Sequence, residues 1–330
     1  MNFNYDFSDS SNFYDDIDYY GYFEDDNYSI NDYDFMDNTS DSSCSSSSEE
    51  SEVDTEFEEC LQMRLQNIKE DEAGKSISLN SFMDDFYDML DINDIVIDLA
   101  EALRYNTTIV ELHLDSCGLV LEHAIEFSRA LRNMSALKWI NLNSNRIGDE
   151  GLGSIVKSLE NNSNINVSNI SVSDNNIGGK GVQYVANFLL QYEMYSLILK
   201  NLIGEEGTDH YKGYLNNSLK TFDISSNNIG DEGAIIFAKA LAYNPPLENL
   251  YLHDTKITSV GIKTITTSLM NNQTLCYLDL SGNEIRGEAV RLFTELLAYN
   301  THVHSIILRR INIVDEVKQT LLNDKRFHFD

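Results

Sequence analysis

The first 60 residues of the chain contain no lysine or arginine, although they contain 19 aspartate and glutamate residues. The whole chain of 330 residues has a formal net charge of −31, so this segment is much more acidic than the remainder. A strongly negative surface repels the phosphates of nucleic acids and of anionic lipids. We therefore expect no direct binding to nucleic acid or to a membrane surface.

Cysteine is scarce and scattered. The four cysteines, Cys44, Cys60, Cys117 and Cys276, form no Cys-x-x-Cys pair, and no histidine lies at the spacing of a shared metal site. This pattern is typical of a reducing compartment rather than of a disulfide scaffold or a zinc site. We predict no metal and no cofactor.

Long apolar runs are also absent, since no stretch approaches the 18 residues that a membrane span needs. The opening sequence "MNFNYDFSDS" has neither the basic residues nor the apolar core of a secretory signal. We expect a cytoplasmic protein that does not cross a membrane.

Patterns of catalytic chemistry are lacking as well. The sequence contains no arrangement typical of a nucleophile triad, a phosphate loop or paired catalytic acids. The segment "IGGKG" at 177–181 has neither the spacing of a phosphate loop nor the serine or threonine that follows its lysine. We predict no catalytic residues and no enzymatic activity.

What the sequence does contain is a repeat. The phrase "SNRIGDEG" at 144–151 returns as "SNNIGDEG" at 226–233. Aligned on the isoleucine of that phrase, eight copies follow one another at intervals of 26 to 30 residues. The aligned residues are Leu119, Ile147, Ile177, Ile203, Ile229, Ile257, Ile285 and Ile313. A regular period of this length is typical of a solenoid.

Each copy follows the pattern L-x-x-L-x-L-x-x-N-x-I, then x-x-x-G and a helical stretch. The alternating apolar pair, for example Ile140 and Leu142, predicts a short strand with one buried face. Asn145 and its equivalents occur where the chain leaves the strand, and their amides can bond backbone groups that no sheet ladder reaches. Gly151 and its equivalents allow a tight turn or a close approach. The aspartates of "DEG" are expected to be solvated charges that favour the start of their own helix.

Asparagine also recurs at the predicted helix ends, where a left-handed backbone conformation is expected. These residues are Asn162, Asn244, Asn272 and Asn300.

The repeat resembles the leucine-rich-repeat superfamily, in its ribonuclease-inhibitor-like subtype with strand–helix units of about 28 residues. The resemblance covers approximately residues 109–320. It implies an α/β solenoid, a right-handed horseshoe with a parallel sheet on its concave face and helices on its convex face. It also implies a protein–protein interaction scaffold that binds its partner through the concave face.

Two other functions occur in families that share this scaffold. A GTPase-activating or GTPase-regulating protein of the Ran-activator type joins such repeats to an acidic segment. Arg146 is the only arginine in the loop comparable to that family's catalytic loop, but the loop lacks the family's extension and the acidic segment is at the opposite end. A tropomodulin-like actin-binding protein is the other alternative, although its repeat count and tail chemistry match poorly.

Three regions are predicted. Residues 1–56 form a disordered acidic tail, because net charge this high with few aliphatic residues does not support a packed core. Its seven tyrosines and five phenylalanines indicate either docking onto a basic or apolar partner or simple compositional bias. Residues 57–108 form a helical N-terminal cap and a partial repeat, with "SISL" as an edge strand. Residues 109–330 form an eight-unit repeat domain with a closing helix. Strands are predicted near 111–115, 139–143, 169–173, 196–200, 221–225, 249–253, 277–281 and 305–309.

Strand parity identifies the residues that face the concave surface. The fourth and sixth positions of each unit are apolar and point into the core, so the third, fifth and seventh point outward. We predict a partner-binding set on this face in a monomeric protein, with aromatic anchors and acids that select a basic or mixed surface. The alternative for the single tryptophan is that it only covers neighbouring strands. The predicted set is Trp139, Tyr251, Tyr277, His113, Asp115, Asp223, His253, Asp279 and Arg309.

Overall fold

The computed structural model describes residues 50–79, 92–160, 167–190, 218–286, 288–311, 318–319 and 321–329. They belong to one compact unit, Glu50–Asp330. The described strands are β1 (Ser76–Ser78), β2 (Glu111–His113), β3 (Trp139–Asn141), β4 (Asn169–Ser171), β5 (Thr221–Asp223), β6 (Asn249–Tyr251), β7 (Tyr277–Asp279), β8 (Ser305–Ile307) and β9 (Phe327–His328). The described helices are α1 (Glu50–Lys69), α2 (Ile92–Leu103), α3 (Leu121–Leu131), α4 (Gly148–Glu160), α5 (179–190), α6 (Gly230–Leu241), α7 (Ser259–Leu269) and α8 (Glu288–Tyr299).

The described strands form a single parallel sheet in chain order, from β1 at one edge to β9 at the other. Parallel neighbours need a crossover, and from β2 onward most consecutive strands are joined by a described helix on one side of the sheet. Neighbouring strands lie about 4.8 Å apart, whereas packed helices need about 8–10 Å. The sheet side is therefore the shorter side, so the sheet lines the concave face of a solenoid, as predicted.

The core lies between the sheet and the helices, and it confirms the predicted strand phase. The middle residue of each strand from β1 to β8 is buried, as Ile140 and Phe222 illustrate, while its first residue is half-buried. The apolar residue that follows the strand, such as Leu142, is buried on the same side. Seven of the eight strand positions predicted from the repeat carry strands, and "SISL" supplies the predicted edge strand β1.

The one remaining predicted strand, near 196–200, lies outside the described residues. Its predicted place in the sheet, between the strands at 169–173 and 221–225, is wrong. β4 pairs directly with β5, and the backbone nitrogen of Val172 donates to the carbonyl oxygen of Asp223 at 2.8 Å. No strand can lie between them. The physical reason is parity: in "SLILKNLI", Leu197 and Leu199 are one residue out of phase with Asn201, and such a slip turns the apolar face outward.

Both predicted ends need correction. The proposed tail boundary at residue 56 is wrong, because α1 already begins at Glu50. Leu61, Leu65 and Ile68 are buried as predicted, and once this helix is nucleated it extends at low cost through an acidic first turn. The disorder predicted for 1–49 lies outside the described residues. The closing segment is helical at 318–319 and 321 but ends in a strand, β9, which pairs with β8.

The asparagines that follow the strands bond backbone groups, as predicted, and these groups include some in the preceding unit. The side-chain nitrogen of Asn145 donates to the carbonyl oxygen of Leu114 in the preceding unit at 2.7 Å, and its oxygen accepts from the backbone of Leu119 at 2.9 Å. Asn227 makes the same contacts with the unit of β4, accepting from the backbone nitrogens of Asn175 and Ile177. The units of β4 and β5 are therefore stacked directly on each other.

The asparagines at the helix ends act differently from the prediction. Of the three that the structure describes, only Asn244 has a positive φ, of 55°. Asn272 instead is buried; it donates from its side chain to the carbonyl oxygen of Leu241 at 2.8 Å and accepts from the backbone of Leu275. Asn300 makes the equivalent contact with Leu269, whereas Asn162 lies outside the described residues. These side chains cap the preceding unit's helix end, which a single-unit analysis does not reveal.

Candidate binding surface on the sheet

The in-register pairing of the strands places equivalent positions in three rows across the concave face. The first row is Glu111, Trp139, Asn169, Thr221, Asn249, Tyr277 and Ser305, and the middle row is His113, Asn141, Ser171, Asp223, Tyr251, Asp279 and Ile307. The third row, just beyond the strand ends, is Asp115, Asn143, Ser173, Ser225, His253, Ser281 and Arg309. All nine residues of the predicted binding set lie in these rows.

Two aromatic pairs stand on this face. His113 and Trp139 meet edge to face, with ring centroids 5.1 Å apart and an interplanar angle of 68°. The Nε2 atom of His113 also lies 3.3 Å from a carboxylate oxygen of Glu111. Both aromatic rings belong to half-buried residues, so each keeps a surface that a partner can contact.

The second pair joins Tyr251 and Tyr277, whose ring centroids are 5.0 Å apart at an interplanar angle of 40°. Asp223 and Asp279 lie in register with Tyr251 on the two adjacent strands. We call these four residues the tyrosine–aspartate cluster. Burial, then the charges of the two aspartates, raises the pKa of Tyr251 to about 12. Its hydroxyl therefore keeps its proton to a higher pH than an ordinary tyrosine does.

The two aspartates of the cluster are held by hydrogen bonds near their own strand ends. Asp223 accepts from the backbone nitrogen of Ser225 at 2.9 Å and from the hydroxyl of Ser171 at 3.2 Å. Asp279 accepts through Oδ1 from the backbone nitrogen of Ser281 at 2.9 Å, and its exposed fraction is only 2%. No residue that the structure describes donates a hydrogen bond to the Oδ2 atom of Asp279.

Small polar side chains separate the two aromatic pairs. The hydroxyl of Ser171 and the backbone of Ser173 both donate to the side-chain oxygen of Asn143, at 2.7 Å each. These contacts connect β3 to β4 and fix the polar side chains between the pairs. Trp139 on β3 and Tyr251 on β6 are three strand spacings apart, about 14 Å.

The face is predominantly acidic. Glu111, Asp115, Asp223 and Asp279 lie in the rows, and Arg309 is the only lysine or arginine among the described members. Asp115 accepts from the side-chain nitrogen of Asn141 at 3.0 Å. A face with this balance attracts positively charged groups.

His253 and Arg309 lie in the third row, at the margin of the tyrosine–aspartate cluster. The Nδ1 atom of His253 is 3.3 Å from a carboxylate oxygen of Asp254, which also forms a 2.6 Å ion pair with Arg310. The backbone nitrogen of Arg309 donates to the hydroxyl of Ser281 at 3.1 Å.

The sequence prediction missed two features of this surface. The contact of Tyr251 with Tyr277 follows from their separation of 26 residues, two less than the common unit length, which makes them diagonal neighbours. The ion pair between Asp254 and Arg310 spans two units, and no local pattern indicates it.

The described residues contain no group of three or more histidine, cysteine, aspartate or glutamate side chains placed to hold a metal ion. None of their helices is long and apolar enough to cross a membrane.

The family model described as Leucine Rich repeat matches residues 137–156, 163–186, 215–238 and 271–293. Two of these stretches contain β4 and β5, the strands that pair directly across 191–217. The match therefore agrees with the unit arrangement that the sheet shows.

Similar proteins carry the same kind of repeat. Mouse ribonuclease inhibitor is 23% identical over 64% of this chain and 54% of its own length. Human NACHT, LRR and PYD domains-containing protein 5 is 25% identical over 60% of this chain and 14% of its own length, and human protein 14 of the same name is 24% identical over 61% and 22%. The chain thus spans about half or less of the length of these curated relatives.

Two solved structures are similar to this chain at low sequence identity. The tropomodulin C-terminal domain of Caenorhabditis elegans is 13% identical, with a TM-score of 0.34 over 56% of this chain and 92% of that domain. Leiomodin-1 actin-binding site 2 is 17% identical, with a TM-score of 0.33 over 72% of this chain and 98% of that structure. Similarity at this level carries no argument about function.

Proposed function

The chain is a leucine-rich-repeat protein of the ribonuclease-inhibitor-like type, and we propose that it is a non-enzymatic scaffold that binds another protein through the concave face of its sheet. The observation that carries this proposal is the placement of two aromatic pairs, His113 with Trp139 and Tyr251 with Tyr277, on one half-buried face. Tryptophan and tyrosine are the residue types that most often dominate the energetics of protein interfaces.

The dimensions of the face support a protein ligand rather than a small molecule. The two pairs stand about 14 Å apart, and the sheet continues by one strand, β1, beyond the first pair and by two strands, β8 and β9, beyond the second. A standard interface buries about 800 Å² on each partner, which requires a surface of this extent. The polar floor between the pairs offers hydrogen bonds across the middle of such an interface.

The charges of the face favour a partner with a basic or mixed surface. Asp115, Asp223 and Asp279 are three of its four acids, and one arginine opposes them among the described rows. Electrostatic complementarity of this kind contributes chiefly to the association rate and to the choice of partner. The acidic segment at 1–49 contains 13 of the 19 acids that precede residue 61 and no lysine or arginine, so it offers a second contact with a basic partner.

A cytoplasmic location is part of the proposal. None of the described cysteines, Cys60, Cys117 and Cys276, forms a disulfide. Burial and the charge of Asp115 raise the pKa of the Cys117 thiol to about 12, so this thiol is an inert core group. Thiols in this state are typical of a reducing compartment.

The Ran-activator alternative finds no specific support at Arg146. Its side chain is exposed, and its backbone nitrogen donates to the carbonyl oxygen of Leu119 at 2.7 Å. Glu284, in the equivalent loop after β7, donates in the same way from its backbone nitrogen to the carbonyl oxygen of Ile257 at 2.9 Å. The loop of Arg146 therefore has the ordinary repeat geometry and no feature that distinguishes a catalytic arginine.

An affinity-capture experiment with matched variants tests the proposal. The full chain, a chain without residues 1–49, and the Trp139→Ala and Tyr251→Ala variants are each used as bait. We expect a protein that is retained by the first two baits and depleted with both variants, while a Tyr243→Ala control, altered on an exposed helix end, retains it. Retention that is equal for all variants and lost only without residues 1–49 would place binding on the tail and contradict the proposal.

A further inference from the structure

We propose that the tyrosine–aspartate cluster is a subsite for one arginine side chain of the partner. This inference rests on the proposed function, because it names the chemical group that the C-terminal half of the concave face receives. The subsite consists of Asp223, Tyr251, Asp279 and Tyr277. The two aspartates supply negative charge and hydrogen-bond acceptors, and the two tyrosines supply aromatic ring faces.

The register of the sheet brings opposite charge to both sides of one aromatic ring. Asp223, Tyr251 and Asp279 are directly paired positions on β5, β6 and β7. The two aspartates are therefore about 10 Å apart at the backbone, with the tyrosine between them. A cation over the ring of Tyr251 lies within reach of both carboxylates.

Asp279 offers an acceptor that a positive group of the partner can reach. Its exposed fraction is 2%, and its Oδ1 atom accepts a hydrogen bond from the backbone of Ser281. Among the described residues, none donates to its Oδ2 atom and none forms an ion pair with it or with Asp223. The Oδ2 atom is not one of the buried side-chain atoms that lack a partner, so it keeps contact with solvent. A hydrogen bond between a guanidinium and a carboxylate is charge-assisted, and this oxygen is open to one.

The aromatic pair gives the site its preference for a flat cation. The rings of Tyr251 and Tyr277 are 5.0 Å apart, and their faces carry the negative part of the ring quadrupole. A guanidinium is planar and weakly hydrated, so it stacks on such a face while it donates to a carboxylate. An ammonium group is compact and strongly hydrated, and it gains less from the same surface.

The protonation of Tyr251 agrees with this arrangement. Its pKa is raised to about 12 by burial and by the charges of Asp223 and Asp279. The charges of Asp223 and Asp279, which add to the larger effect of burial, are the charges that a guanidinium would experience at the same place.

The test uses a defined probe, the peptide acetyl-Gly-Arg-Gly-amide, and the full chain labelled with ¹³C in its tyrosine rings. The signals of Tyr251 and Tyr277 are assigned from the Tyr251→Phe and Tyr277→Phe variants. We expect saturable shifts of these two signals with the arginine peptide. The matched peptide with citrulline, a neutral isostere of arginine, should cause none, and a lysine peptide should bind more weakly.

Charge variants separate a local site from the general acidity of the chain. Asp279→Asn should weaken binding of the arginine peptide about tenfold, whereas Glu111→Gln, which removes one charge from the far end of the same face, should change it less than about twofold. Asp223→Asn, at a more exposed position, carries the test if Asp279→Asn does not fold. Equal binding of the citrulline peptide, equal effects of Asp279→Asn and Glu111→Gln, or no saturable shift at the two tyrosines would overturn the assignment.

These outcomes differ from a failure of the proposed function. If a captured partner still depends on Trp139 and Tyr251 while the arginine peptide does not bind, the concave face binds protein and only the arginine subsite is wrong. If no partner depends on either aromatic residue, the proposed function itself fails, whatever the peptide does.

Discussion

The Oδ1 atom of Asp231 lies 2.9 Å from the backbone nitrogen of Gly261, whose N–H group it accepts as a hydrogen bond in the first turn of the following helix. The same atom accepts from the backbone of Thr258 at 2.8 Å. Asp149 repeats the arrangement with Gly178 and Gly181. The aspartate of "DEG" therefore caps the helix of the next unit and joins consecutive units, rather than being a solvated charge at the start of its own helix.

The first prediction concerns this cap. Asp231→Ala should lower the free energy of unfolding by about 1–2 kcal/mol, because the first turn of α7 loses its side-chain acceptor. The neighbouring change Glu232→Ala removes an equal charge at an exposed position and should cost less than about 0.5 kcal/mol. Urea denaturation of the two variants measures the difference. Equal losses of unfolding free energy in the two variants would mean that the negative charge, rather than the helix cap, stabilises the fold.

A second prediction tests the direct stacking of the β4 and β5 units. Asn227→Ala removes the acceptor of the backbone N–H groups of Asn175 and Ile177, which lie 50 or more positions earlier in the chain. Leaving these buried groups unsatisfied should cost about 2–4 kcal/mol in unfolding free energy.

Asn228→Ala is the matched control, because Asn228 is the adjacent and exposed asparagine. Its change should be close to zero. Hydrogen exchange should also show faster exchange at Asn175 and Ile177 in the Asn227 variant alone. Unchanged exchange at these amides would contradict the direct stacking of the two units.

The third prediction is a pH dependence. The pKa of Tyr251 is raised to about 12 in the folded chain from an ordinary value of 10.0. The stabilisation linked to its proton is complete below the ordinary value and is lost as the pH rises through the folded value. The unfolding free energy of the wild-type chain should thus fall more steeply between these two values than that of Tyr251→Phe.

Titration of the phenolate absorbance provides the independent measurement. The tyrosine signal that disappears in Tyr251→Phe should titrate near a pH of about 12. A lost signal that titrates near the ordinary value of 10.0 would show that Tyr251 is not in an acidic, buried setting.

Much of the fold follows from the sequence, because each unit repeats the same local pattern. The alternation of Ile140 and Leu142 with polar neighbours defines the strand phase, and a shift by one residue would reverse it. The strand predicted near 196–200 lies outside the described residues, and its leucines are one residue out of phase with Asn201. Contacts between units, such as Asn272 with Leu241, were missed because they join residues about 30 positions apart and leave no mark within one unit.

The sequence predicts which side chains lie on the candidate surface, but not how these side chains pack against one another. The alternation of side chains along each strand alone places Trp139, Tyr251 and Tyr277 on the concave face of the sheet. The burial of Asp279 to 2% exposure and the contact between the two tyrosine rings depend on how side chains from neighbouring strands pack. Sequence patterns describe one strand at a time, so they do not determine these packing contacts.

The central claim is that the concave face binds a partner protein, and Trp139 tests it most directly. The measurement is the affinity of the captured partner for the wild-type chain and for Trp139→Ala, by calorimetric titration, beside the thermal unfolding of both. The account predicts a loss of affinity of at least about tenfold, or 1.4 kcal/mol, with nearly unchanged thermal stability. Unfolding of the variant would show that Trp139 belongs to the core, and unchanged affinity with unchanged stability would show that the partner binds elsewhere.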